Sequence, residues 1–268
     1  MVELKDKYFK EYSDLIYDKT GIFVRENKRQ TFMMKIEKSM RRMKMPSHEE
    51  YLMYLKGNNS KEYFQQLVND ITTNTTEFFR EKEHFHFIKK NLSFIMENNR
   101  RIESAKEIRI WCAGCSTGQE SVSLAILLKE YLIRDIQIKI LATDIDSEAI
   151  KQAIKGEYSN SDCEGIPKVL LNRYFDKVGT GFSVKEEIRN LIRYRLFNLM
   201  EEYRFKKNFD IIFCRNVMIY FNNNVQEKLV NKFYRYLVQG GLLFIGHSES
   251  LLNKEHKYTY IEPALYMK

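Results

Sequence analysis

The chain has 268 residues, with 44 Lys and Arg against 36 Asp and Glu, a formal net charge of +8. That length suits one large domain or two smaller ones, and 44% apolar with 30% charged residues is a soluble globular composition. No apolar run approaches the ~20 residues of a membrane span, and the start "MVELKDKYFKEYSDL" lacks a signal-peptide core. The expectation is a cytoplasmic protein with no direct membrane insertion.

The first stretch, 1–72, reads as a helical N-terminal domain. "LKDKYFKEYSDLIYDKTG" puts Leu4, Tyr8, Tyr12, Leu15, Ile16 and Lys19 at helical spacing, and Gly21 stops it. "NKRQTFMMKIEKSMRRMKM" sets Phe32, Met33, Ile36, Met40 and Met43 on one side and basic residues on the other. Ser47 followed by Glu50 is a helix-start signature for "HEEYLMYLKG", and "SKEYFQQLVNDIT" repeats the helical pattern.

Between Arg25 and Lys44 the basic residues Arg25, Lys28, Arg29, Lys35, Lys38, Arg41, Arg42 and Lys44 face only Glu26 and Glu37. A basic helix face of this density suits nucleic acid, a membrane surface or an acidic protein, as well as plain solvation.

The segment 73–106 is a connector followed by a helix. "TTNTTEFFRE" is rich in poor helix formers, and a helix is expected from about Glu77 to Asn98. From Glu107 the order becomes strand–helix–strand. "IRIWCA" and "IQIKILATDID" read as strands, "ESVSLAILLKEYL" and "SEAIKQAIKG" as helices, the latter with Ser147 as N-cap. Within 157–190, "GIPKVLLNRYF" is a short helix. "YFDKVGTGFSVKEEIRNLIRYRLFNL" alternates as two or three antiparallel strands with a hairpin at Gly179 and Gly181. "NFDIIFCRN" is a buried strand, "NNVQEKLVNKFYRYLVQGG" a helix closed by Gly240 and Gly241, and "GLLFIGHSE" with "YTYIEPALYMK" completes the sheet. Alternating strands and helices imply a doubly wound, mostly parallel α/β sheet. Its ligands sit at the carboxyl ends of strands near the switch in strand order.

"WCAGCSTGQE" is the candidate ligand turn. It has glycines at 114 and 118, not the three of a dinucleotide loop, and Gln119 stands where a P-loop needs lysine. A phosphate at this helix start would meet Glu120, a repulsive pairing. The ligand expected is therefore one without phosphates, and S-adenosylmethionine qualifies. Asp144, at the end of the second strand, is placed to take both ribose hydroxyls, with Asp146 the weaker candidate. Cys112 and Cys115 form a C-x-x-C with no second half, and read as packing cysteines rather than a metal or redox site. No histidine has a sequence partner for catalysis; His84 and His86 are two apart on a helix, and only His247 lies near the predicted site.

Taken together, "TTNTTEFFRE", "WCAGCSTGQE", "LATDID", "FDIIFCRNVMIYF" and "GGLLFIGHSESL" resemble the chemotaxis receptor methyltransferase (CheR) family over nearly the whole chain. The resemblance implies a Rossmann-like class I methyltransferase sheet in 107–268. To it are added a small all-helical N-terminal domain and an inserted antiparallel β subdomain at 157–190. It implies transfer of the S-adenosylmethionine methyl group to glutamates on the cytoplasmic helical bundle of bacterial methyl-accepting chemoreceptors, leaving S-adenosylhomocysteine.

The family's cofactor positions match Asn74, Thr76, Arg80, Glu120, Asp144, Asn198, Leu199, Arg215 and Asn216. The resemblance implies that Tyr220 lies close to the methyl group and that Arg80 pairs with the cofactor carboxylate; these two are the catalytic candidates. The basic helix would face the receptor through Arg25, Lys35, Lys38, Arg41 and Arg42. Some members grip a receptor peptide with a longer subdomain loop than the Gly179–Phe182 turn offers. No metal, no nucleic acid and a monomer are expected. A nucleic-acid methyltransferase is the main rival, but "CRNVMIYF" lacks the prolines usual in enzymes that methylate base amino groups. A non-catalytic cofactor-binding regulator is the other rival.

Overall fold

The computed structural model describes residues 2–57, 60–132 and 135–268, with the side chains of 2–5, Leu4 among them, outside that description. Four helices open the chain: α1 (Val2–Thr20), α2 (Arg29–Arg42), α3 (His48–Lys56) and α4 (Ser60–Ile71). Gly21, at φ +73°, ends α1. The side chain of Ser47 accepts the Glu50 amide at 3.2 Å and starts α3, as its spacing predicts. Tyr12, Ile16, Phe32, Ile36, Met40, Tyr51 and Leu55 interlock as the core of this bundle, so the apolar stripe of α2 is packing surface.

The connector at 72–81 is irregular, and the following helix starts later than its composition suggests. Phe79 and Glu81 take φ +54°, a left-handed conformation that interrupts helix growth. The expected single helix is three: α5 (Lys82–Lys90), α6 (Leu92–Asn98) and α7 (Arg101–Ala105).

Then come β1 (Glu107–Ala113), α8 (Gln119–Tyr131), β2 (Gln137–Asp144) and α9 (Ser147–Lys155). Next are β3 (Glu157–Ser159), α10 (Lys168–Tyr174), β4 (Phe175–Val178), β5 (Gly181–Val184), α11 (Glu186–Arg189) and β6 (Ile192–Leu196). The chain closes with β7 (Phe209–Cys214), α12 (Asn223–Tyr236), β8 (Leu237–Ile245), β9 (Thr259–Glu262) and β10 (Leu265–Met267).

The main sheet has the order β6-β2-β1-β7-β8-β10-β9, parallel from β6 through β8 and antiparallel at the final hairpin. Helices cover both faces, which is why β1 and β7 are nearly continuous apolar runs. Alternation still sorts β1: Ile108, Ile110 and Cys112 face one core, Trp111 and Ala113 the other. Strands β3, β5 and β4 form the separate antiparallel sheet expected of the insertion.

Three details depart from the sequence reading. The segment "IRYRL" pairs in parallel with β2 as an edge of the main sheet, not with the antiparallel insertion. Gly240 and Gly241 lie inside β8 rather than closing α12; at φ +72° Gly240 leaves no room for a side chain, which would strike the Asn98 carbonyl at the end of α6. The N-cap of α9 is Asp146, whose Oδ1 accepts the amides of Glu148 at 2.9 Å and Ala149 at 3.0 Å; Ser147 is the first residue inside the helix. Among the described residues no helix is long and apolar enough to cross a membrane.

Candidate active site

Strand order reverses between β1 and β7, and a cleft of about 1090 Å³, counting the space open at its mouth, lies beyond their carboxyl ends. Every residue expected to bind the cofactor or to act on the methyl group lines it: Asn74, Thr76, Arg80, Glu120, Asp144, Asn198, Leu199, Arg215, Asn216 and Tyr220. The helical bundle contributes Thr20, Ile22 and Ile71 to the same wall, so the site belongs to both parts of the chain.

The turn after β1 is built by packing more than by ligand approach. Gly114, at φ +93°, leaves no room for a side chain against Val217, and Gly118, at φ +98°, sits under Ala153, Tyr158 and Tyr194. Ser116, at φ +49°, donates its amide to Asp144 Oδ2 at 2.7 Å. Asp144 Oδ1 accepts the Asp146 amide at 2.9 Å. Burial raises the Asp144 pKa, and these two amides oppose the rise. Each oxygen keeps a lone pair for a further donor. Asp146, not Asp144, takes over the helix cap, which leaves Asp144 facing the cleft.

Arg215 is the hub of the opposite wall. Its side chain is 2% exposed and bonds Glu81 (Nη2 to Oε2, 3.0 Å), Glu120 (Nη1 to Oε2, 3.1 Å) and the Arg80 carbonyl (2.5 Å). Burial raises the Glu120 carboxyl, with Arg215 opposing. For Glu81 burial is the largest influence, but Arg215, the His247 amide and Asn216 together outweigh it and hold the group below the usual range.

Asn216, at φ +57°, receives no strain relief from glycine; its amide is held by Glu249 Oε2 at 3.1 Å. Glu249 also accepts the amides of Gly246 at 2.6 Å and Ile219 at 3.2 Å, and so shapes the loop that presents Tyr220. Glu81 and Glu249 were missed as site residues although both lie in the quoted segments; nothing in their spacing marks them, because their partners are far away in sequence.

The remaining residues carry both lining and tethering contacts. Asn74 donates to Asp146 Oδ2 at 2.7 Å, and its carbonyl accepts the Ser116 hydroxyl at 3.2 Å. Asn198 donates to the Lys19 carbonyl at 2.7 Å. Arg80 donates Nη1 to the Thr75 carbonyl at 3.0 Å and is partly exposed. Tyr220 is 37% exposed, and burial is the chief cause raising its phenol pKa. The four cysteines are all buried, and Cys112 and Cys115 pack in the core beside the sheet.

On the basic face, Lys35 Nζ is bound by the Ile71 carbonyl at 2.7 Å and the Thr72 carbonyl at 3.1 Å, and Arg42 pairs with Asp70. Arg25, Lys38, Arg41 and Arg42 are exposed.

Two acids, a guanidinium hub and a turn that sets Glu120 where a phosphate would sit fit a ligand with cationic sulfonium and ammonium groups and a ribose. The fold and site define an S-adenosylmethionine-dependent methyltransferase. The family model described as "CheR methyltransferase, all-alpha domain" matches residues 7–72, and that described as "CheR methyltransferase, SAM binding domain" matches 74–266. A chemotaxis protein methyltransferase of Borreliella burgdorferi is 36% identical, covering 95% of this chain and 91% of its own. Those of Salmonella typhimurium, at 34%, and Escherichia coli, at 33%, each cover 98% of this chain, and 90% and 91% of their own. The chain belongs to the CheR methyltransferase family.

Proposed function

We propose that this enzyme forms methyl esters on glutamate side chains of the cytoplasmic helical bundle of chemoreceptors. The observation that carries the reading is the cleft itself, where Asp144, Glu120, Arg80, Asn198 and Tyr220 converge from both parts of the chain. S-adenosylmethionine supplies an electrophilic methyl group and leaves as S-adenosylhomocysteine. Asp144 takes the ribose hydroxyls. Asn198 and Leu199 flank the adenine. Arg80 clamps the methionine carboxylate, a match of planar guanidinium to carboxylate, with Asn74 and Thr76 beside it. Glu120, Arg215 and Asn216 form the wall near the amino group.

The nucleophile needs no base, because a glutamate with pKa near ~4.3 is ionised at neutral pH. The enzyme's task is to hold it in line and keep water out, and the opposite charges that cancel during transfer react faster in such a setting than in water. Tyr220, at the mouth of the cleft, walls the methyl position and orients the incoming carboxylate. The bundle's exposed Arg25, Lys38 and Arg41 face the acidic receptor helices and speed encounter. Lys35 serves instead to hold α2 on the connector, while Arg42 holds α2 on α4 from the exposed face. We place the enzyme in the cytoplasm as a monomer with three working parts, 1–72, 73–106 and 107–268.

Transfer of tritiated methyl from S-adenosylmethionine tests this. Base-labile label on receptor is expected; base-stable label on nucleic acid, or no label, overturns it.

A further inference from the structure

We propose that Glu81, His84 and His247 form a site for a zinc-like dication behind the cofactor cleft, and that filling it inhibits the enzyme. The metal-binding half stands apart from the proposed reaction; the inhibitory half rests on it. One potential ligand atom from each of the three residues lies within 4.8 Å of the others. His84 comes from α5 and His247 from the loop after β8, with ring centroids 4.7 Å apart. Glu81 Oε2 lies 3.7 Å from His84 Nδ1.

His84 provides the independent sign of a missing ligand. Its side chain is 1% exposed, yet neither Nδ1 nor Nε2 has a hydrogen-bond partner. Leaving a buried polar group unpaired is costly, so its retention calls for a partner in the space it faces. A neutral imidazole offers a lone pair, the form in which histidine binds metals.

His247 is exposed and gives an ion its route in. Two imidazoles and a carboxylate, with water in the fourth position, are an established zinc ligand set with bonds of roughly 2.0–2.2 Å. The buried cysteines are not available to compete for the ion.

The inhibitory effect follows from Glu81. The same carboxylate holds Arg215 at 3.0 Å and Asn216 at 3.3 Å. A dication draws on that carboxylate and repels the guanidinium beside it. Arg215 in turn ties Glu120 and the Arg80 carbonyl to the cleft wall, so its displacement loosens the cofactor site. The same repulsion weakens the ion's hold and makes the site reversible.

The test is titration of the full chain with Co²⁺ alone, reading visible d–d absorption, followed by displacement with Zn²⁺. One Co²⁺ per chain is expected, with binding weakened at least about tenfold in His247→Ala, because one of three protein ligands is lost. His84→Gln should do the same; if that buried variant does not fold, the exposed His247→Ala still decides. Absence of bands overturns the site and leaves a bridging water as the partner of His84. Unchanged binding in His247→Ala also overturns it. Zn²⁺ should weaken S-adenosylmethionine binding in the parent chain and not in His247→Ala. Metal binding without that change removes the inhibitory half alone, whereas metal binding with no methyl transfer to receptor removes the proposed function and leaves the site.

Discussion

Asp144 joins three requirements in one side chain: it ends β2, orders the turn after β1 through the Ser116 amide, and faces the cleft. Asp144→Ala should abolish S-adenosylmethionine binding measured by calorimetry; near-parental affinity would refute the ribose role. The raised pKa also sets a pH dependence. A protonated carboxyl loses an acceptor site, so affinity should fall as pH drops through a midpoint above the ordinary ~3.9 of aspartate. Affinity that stays flat down to pH 4 would remove Asp144 from the contact. Tyr220→Phe isolates the phenol. Its raised pKa keeps the hydroxyl protonated near neutrality, so it can donate to the incoming carboxylate. Loss of that hydroxyl should slow methyl transfer roughly tenfold, about 1.4 kcal/mol, with cofactor affinity unchanged. An unchanged rate would leave Tyr220 as a wall only.

At the scale of elements, α2 and the connector divide the work that the basic run suggested was uniform. Lys38→Ala with Arg41→Ala should reduce receptor methylation at low salt, and the deficit should shrink as salt rises. The cofactor dissociation constant should not move; a change there would show that these residues act on the site and not on encounter. Asp146 connects two elements at once. One oxygen caps α9, and the other accepts the Thr72 hydroxyl and the Asn74 amide, each at 2.7 Å. Asp146→Ala should lose a cap of about 1 kcal/mol and two hydrogen bonds of about 0.5–1.5 kcal/mol each. Denaturant melts should show roughly 2–4 kcal/mol lost, with weaker cofactor binding because the connector is released. A melt within about 0.5 kcal/mol of the parent, an ordinary surface effect, would contradict this.

Across the whole molecule, the bundle and the sheet meet around the cleft. Ile22 bridges Phe221, the Phe23 amide donates to the Tyr220 carbonyl at 2.8 Å, and Asn222 bonds the Tyr17 hydroxyl at 2.9 Å. Gln65 reaches the Ile145 carbonyl at 2.8 Å. A ligand that touches both parts should stabilise them as one unit. At a hundredfold excess over its dissociation constant, S-adenosylmethionine should add about 2.7 kcal/mol to a single calorimetric transition. Two transitions with only one of them shifted would show that the bundle does not share the site.

Local order was readable directly. The buried runs of β1 and β7, the Ser47 cap and the antiparallel insertion follow from side-chain period and turn chemistry, which act over a few residues. In the cleft lining, Glu120 and Asp144 were readable from residue type and position, whereas the other residues were marked by the resemblance of their segments to one family. What the chain order could not show is who partners whom. Lys35 and Arg42 look like free charge until α4 and the connector pack against them. Glu81 looks like surface until Arg215 arrives from 134 residues away. His84 and His247 look unrelated until β8 ends beside α5. Hydrogen bonding and desolvation depend on distance in space, so the local grammar was set by the amino-acid sequence alone, while the pairings that tune the site were decided by tertiary packing.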